Sequence, residues 1–189
     1  MADPILPLGD PRLRRVCTAV PAVLDPEILE EIRRVKGALA AFRAERGFGR
    51  GLAAPQLGIP RRIVALDLGQ GPRVLLDPVL TWRSPETFTL WDDCMCFPDL
   101  LVKVRRHRSV SLAARDEAGR PLVLERVGQA ESELLQHELD HLDGILAVDR
   151  ALDEDWSALR FRPVDRIRTL ARRSALSAEG KARVAGRSR

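Results

Sequence analysis

The sequence predicts an α+β fold with a largely antiparallel sheet, and three observations lead there. Residues 25–47 repeat apolar side chains at helical spacing, residues 61–128 hold strand-like runs one after another, and residues 131–144 return to helical character. A chain of 189 residues is long enough for one compact domain with a substantial core and short for two, so the domain is expected to span 1–189.

Each element has its own signal. The entry, PLGDPRLRR, is extended and turn-rich. The first helix has Asp25 as N-cap, Pro26 at its first position and Gly47 as its stop, with Ile28, Ile32, Val35, Leu39 and Phe42 along one face. GFGRGLAAPQLGIP is rich in glycine, bounded by proline, and reads as a shaped loop. RRIVALDL, RVLLDPVL, ETFTLWDDC, LVKVRRHRSVSLAARD and PLVLERVG read as strands, and the turn Glu117–Ala118–Gly119–Arg120 suggests a hairpin. ESELLQHELDHLDG is a second helix closed by Gly144, and a last helical pattern begins near Pro163.

Composition narrows the setting. No apolar run is long enough for a membrane span, and the N-terminus lacks the layout of a secretory signal, so a cytoplasmic location is expected, with no membrane partner. Three cysteines, Cys17, Cys94 and Cys96, do not make an even disulfide framework and suit a reducing compartment. Residues 158–189 carry ten Lys or Arg against two acids. That asymmetry suggests either a ribosome contact through a basic C-terminal helix or a solvated helix with a flexible basic tail over about 176–189. Nothing in it points to specific DNA binding.

The chemistry gathers in HELDH. His137 and His141, two of only three histidines, stand four residues apart and share a helical face, so they can hold one divalent ion. Glu138 stands beside the first, where it can take a proton from water. A third histidine six residues past His141 would suit one class of zinc protease, but that position is Ala147. Glu154 and Glu179, the downstream glutamates, are unattractive ligands. Upstream, WDDCMCFPD offers two thiols, either of which would complete a Cys-His-His site with one position open.

With these motifs in order, the chain resembles the peptide deformylases. That family is marked by Gly-φ-Gly-φ-Ala-Ala-x-Gln (φ apolar), matched by GRGLAAPQ at 49–56; by Glu-Gly-Cys-φ-Ser, aligned with DDCMC at 92–96; and by His-Glu-x-x-His, here 137–141. The resemblance implies sheets packed around a central helix carrying HExxH, with an N-terminal and a C-terminal helix. It implies Cys94, His137 and His141 as ligands of a catalytic ion, usually Fe2+, for which zinc, nickel or cobalt can substitute. It makes Glu138 the general base and acid. Gln56 and the backbone N–H of Met95 become donors to the oxygen of a formyl group on a nascent peptide.

Three departures concern the substrate-binding positions, which the resemblance places at Gly49, Arg50, Gly51, Asp93 and Glu133. Arg50 replaces an apolar residue, Asp93 replaces glycine, and Glu133 falls on the ligand face of the helix where an apolar residue would line a methionine pocket. Either these three form a local ion-pair network at the rim, or the pocket has become polar and another formylated amine is preferred. Cys96 replaces serine, and on a strand it would share a face with Cys94. Cys17 and His107 read as structural. A metallopeptidase and a non-catalytic relative are the remaining readings. Gln56 and Glu138 argue against the second, since a binding module needs neither.

Overall fold

A computed structural model of the protein describes residues 3–21, 25–152 and 159–161. The first helix, α1 (Pro26–Arg46), has the bounds its sequence dictates. The Asp25 carboxylate accepts from the Glu27 N–H at 2.9 Å, Pro26 opens the first turn, and Gly47 closes the last in the left-handed region at φ 73°.

Strands β1 (Gly51–Ala53), β2 (Ile63–Leu66), β3 (Arg73–Arg83), β6 (Val110–Arg115) and β7 (Pro121–Leu124) form one antiparallel sheet in the order β1-β2-β3-β6-β7. Strands β4 (Thr87–Asp93), β5 (Leu100–His107) and β8 (Leu159–Phe161) form a second, in the order β4-β5-β8. The β6–β7 hairpin turns at the predicted place, with Gly119 N–H donating to the Asp116 carbonyl. The second long helix, α2 (Gln129–Leu142), carries HELDH, so the α+β class and its antiparallel sheets are as the sequence predicts. The C-terminal helix expected from Pro163, and the basic tail, lie outside the described residues.

Alternation across the larger sheet explains why α1 and α2 sit where they do. Leu52, Ile63, Ala65, Val74 and Leu76 pack toward Ile28, Ile32, Val35 and Leu39 of α1. Ala53, Val64, Leu66, Leu75 and Leu112 pack on the other face, toward Leu134, Leu135, Leu139 and Leu142 of α2. A sheet covered on both faces needs continuous apolar strands, and all four residues of β2 are buried. A third cluster joins Cys94, Cys96 and Phe97 to Val102, Val104 and Leu146, tying the smaller sheet to the chain after α2.

The structure differs from the sequence reading at two places that matter for the site. The glycine-rich segment is not all loop: Gly51–Ala53 pairs with β2, and Ala54–Leu57 forms a 3-10 turn. The strand expected to include Cys94 ends at Asp93, so Cys94 and Cys96 lie in the turn beyond it rather than on one strand face.

Candidate metal centre

Two elements bring the site together. Helix α2 presents His137 and His141 on one face, and the turn after β4 presents Cys94. The Nε2 atoms of the histidines lie 3.2 Å apart, and Cys94 Sγ lies 3.3 Å from His141 Nε2. All three ligand atoms fall within 4.8 Å of one another and all three residues are buried.

These spacings fit a metal. Ligands about 2.0–2.3 Å from a tetrahedral ion stand roughly 3.3–3.6 Å from each other. No protein group among the described residues satisfies one further buried atom here, Glu138 Oε2. A carboxylate oxygen beside three converging nitrogen and sulfur donors is what a bound ion with its water would satisfy. A thiolate with two imidazoles is a donor set for iron or zinc.

The neighbouring groups set orientation and charge. His137 Nδ1 donates to Asp92 Oδ2 at 3.0 Å, which fixes the ring and turns Nε2 toward the cluster. Asp92 in turn accepts from Arg106 Nη2 at 3.0 Å, and Arg106 also holds Asp140. Burial works against the Asp92 carboxylate, but His137 and Arg106 hold it down at about 2. Burial likewise opposes a charge on His137, and Asp92 more than offsets it, raising that imidazole to about 9. His141 is driven down, first by burial and then by the charge of His137. Burial pushes the Cys94 thiol up, and the Cys96 thiol beside it adds to the effect. Binding a cation at this point reverses that, since a coordinating thiol is deprotonated outright.

Glu138 is raised to about 7, chiefly by burial. It lies against β1: a Cβ on Gly51 would stand 2.5 Å from Glu138 Oε1. Gln56 sits in the 3-10 turn, where its Oε1 accepts from the Ala53 N–H at 2.8 Å. That bond fixes the amide so that Nε2 faces Cys96 Sγ at 3.5 Å and Cys94 Sγ at 3.7 Å. Met95 is buried between the two cysteines, and its side chain fills the space a Cβ on Gly49 would need. Both glycines of the first motif therefore make room for neighbours inside the protein.

Of the charged positions, Arg50 pairs with Glu133 and also donates to the Ala130 carbonyl at 3.0 Å. Asp93 adds its negative charge to the surroundings of Arg50. Cys17 packs among the leucines of α2, and His107 Nδ1 meets the Ser84 carbonyl at 2.7 Å. Neither belongs to the cluster.

Asp92 and Arg106 are the site residues that sequence reasoning missed. Two signals stood in the chain. A histidine ligand needs a partner for its second nitrogen, and Asp92 lies within the cysteine motif itself. Strand β5 alternates Val102, Val104, Arg106 on its buried side, so an arginine occupies an apolar position of the pattern.

Comparison with known proteins agrees with this architecture. Residues 2–156 match the polypeptide deformylase family. A peptide deformylase of Thermotoga maritima is 32% identical over 164 residues, covering 87% of this chain and 96% of its own. One from Synechococcus sp. strain CC9605 is 34% identical over 154 residues, covering 78% and 73%. Among solved structures, the T. maritima peptide deformylase superposes with a TM-score of 0.73 at 29% identity, over 81% of this chain and 99% of its own. The Synechococcus elongatus peptide deformylase in complex with actinonin gives 0.72 at 31% identity, over 80% and 79%.

Proposed function

Because the chain belongs to the polypeptide deformylase family and is by that membership a hydrolase, we propose that it removes the formyl group from N-formylated nascent peptides at the Cys94–His137–His141 site. The observation that carries this reading is the convergence of those three ligand atoms beside a buried Glu138 and an amide fixed by the backbone. The ion expected there is ferrous iron, and zinc, nickel or cobalt suit the same donors. When bound, a divalent ion supplies Lewis acidity and brings water close to deprotonation at neutral pH.

The chain's own residues do the rest. Glu138 takes a proton from the attacking water as its oxygen bonds to the formyl carbon. Held near neutrality by burial, it is matched to both accepting and returning that proton. Gln56 Nε2 and the backbone N–H of Met95 donate to the formyl oxygen as charge develops on it, and one such donor is worth roughly 3 kcal/mol. The C–N bond then breaks, Glu138 hands its proton to the leaving amine, and formate and a free N-terminus are the products. Asp92, backed by Arg106, keeps His137 oriented throughout.

A second reading follows from one contact. The Arg50–Glu133 contact is an ion pair of the first alternative, which leaves a methionine pocket serviceable; the second reading takes the same two charges, one turn from His137, as making that pocket polar. On that reading the preferred formylated substrate has a polar first side chain. No helix among the described residues is long and apolar enough to cross a membrane, and a cytoplasmic place beside the ribosome suits the substrate.

The test is formate release from enzyme purified anaerobically with ferrous iron, over formylated dipeptides of varied first side chain. Turnover of formyl-Met-Ala with none of the unblocked peptide is the expected result; internal cleavage of unblocked peptides without formate refutes the proposal. Replacing Arg50→Ile and Glu133→Leu together shifts preference toward methionine if the polar reading holds, and an unchanged profile discards it.

A further inference from the structure

Around the flank of α2 next to its histidine face, the helix and strands β3 and β5 line an open recess of about 310 Å3. Five arginines line it (Arg62, Arg83, Arg105, Arg106 and Arg150) against two carboxylates, Asp140 and Asp143. Three of the five are matched. Arg62 pairs with Asp143 at 2.7 Å, Arg150 with Asp140 at 2.8 Å, and Arg106 bridges Asp140 and Asp92. Arg83, at the end of β3, and Arg105, on β5, are exposed and make no ion pair among the described residues. Arg106, at 4% side-chain exposure, keeps its Nε buried without a hydrogen-bond partner. The acids lining the recess are already shared among the three matched arginines, so among the described residues it retains unmatched positive charge in a concave, largely polar surface.

We propose that this recess binds a phosphoryl group through Arg83 and Arg105. Two unmatched guanidiniums suit a phosphate dianion better than a single carboxylate, and the planar fork of arginine matches its oxygens in pairs. The recess has room for a phosphate with part of its ester, and its open side lets the phosphate belong either to a small metabolite or to a nucleic-acid backbone. The bound group is separate from the formyl substrate, yet not isolated from it. Arg106 lines the recess with one end of its guanidinium on Asp140 and the other on Asp92, which holds His137.

The experiment measures binding of inorganic phosphate, and of a short single-stranded RNA, to the full-length enzyme by calorimetry at fixed ionic strength, with chloride as the control anion. The double variant Arg83→Ala/Arg105→Ala is compared with wild type, after its circular dichroism and formate-release rate are shown to be unchanged. Binding by phosphate or RNA that weakens about tenfold or more in the double variant supports the proposal. RNA that competes with phosphate names the backbone as the source, and phosphate binding without competition names a free ester. If neither probe binds wild type, or the double variant binds equally well, the recess is a solvated arginine cluster and the proposal fails.

Discussion

Gly51 shows how tightly single positions govern the site. Its Cβ would meet Glu138 Oε1 at 2.5 Å and both Cγ and Cδ at 2.9 Å, so any side chain there must push the carboxylate away. Gly51→Ala is expected to lower formate release by about 10²-fold, the loss that a displacement of about 1 Å produces, with metal content retained. Full activity in that variant would show that the carboxylate position is not critical. Asp92 acts differently, by holding a ligand. Asp92→Asn keeps the shape and removes the charge that fixes His137 and meets Arg106. Metal affinity is expected to fall about 10–100-fold in competition with a chelator. Affinity within twofold of wild type would leave His137 positioned by packing alone.

Elements built from local signals were the legible ones. Helix α1 keeps the cap, first residue and stop that Asp25, Pro26 and Gly47 imply, because each acts on backbone within about one turn of itself. Asp25→Ala should therefore cost about 1 kcal/mol, read as a lower denaturation midpoint at unchanged slope. What escaped the sequence is non-local. Segment 51–53 becomes a strand only because β2 lies alongside, and glycine-rich composition conceals such a pairing. Likewise Arg106 reveals its role only when β4, β5 and α2 meet, since its partners Asp92 and Asp140 are far from it in the chain. The spacing of HELDH was readable because a helix makes four residues one turn. Which of two thiols joins it is implied only by the family motif, which points to Cys94, and not by periodicity, because Cys94 and Cys96 lie in a turn whose path periodicity does not set. Helix α2 itself depends on packing. Leu135 is fully buried against the larger sheet, and Leu135→Ala should destabilise by about 2–5 kcal/mol. A shift under about 1 kcal/mol would mean that α2 is held mainly by its polar contacts.

At the scale of the whole molecule, the ligands tie together parts that otherwise meet through separate cores. His137 and His141 belong to the helix packed on the larger sheet, whereas Cys94 belongs to the cluster of the smaller one. An ion held by all three binds the folded chain and has no equivalent site in the unfolded one, so its affinity adds to stability. At a free-ion concentration of about 100 times Kd that contribution is about 2.7 kcal/mol, which for a chain of this size corresponds to roughly 5–11 °C in Tm. Removing the metal with a chelator under anaerobic conditions should lower Tm by that amount, and restoring ferrous or nickel ion should recover it. Cys94→Ala separates this from a general salt effect: it severs the link from the smaller sheet, and its Tm should respond only weakly to added metal. Cys96→Ala leaves the three ligands intact and should respond like wild type, since the Cys96 thiol accepts from Gln56 and the bond to Cys94 Sγ comes from the Cys96 backbone N–H, which alanine keeps. A reversed pattern, with metal response lost in Cys96→Ala and kept in Cys94→Ala, would make the second thiol the ligand. The catalytic geometry would then have to be rebuilt around it.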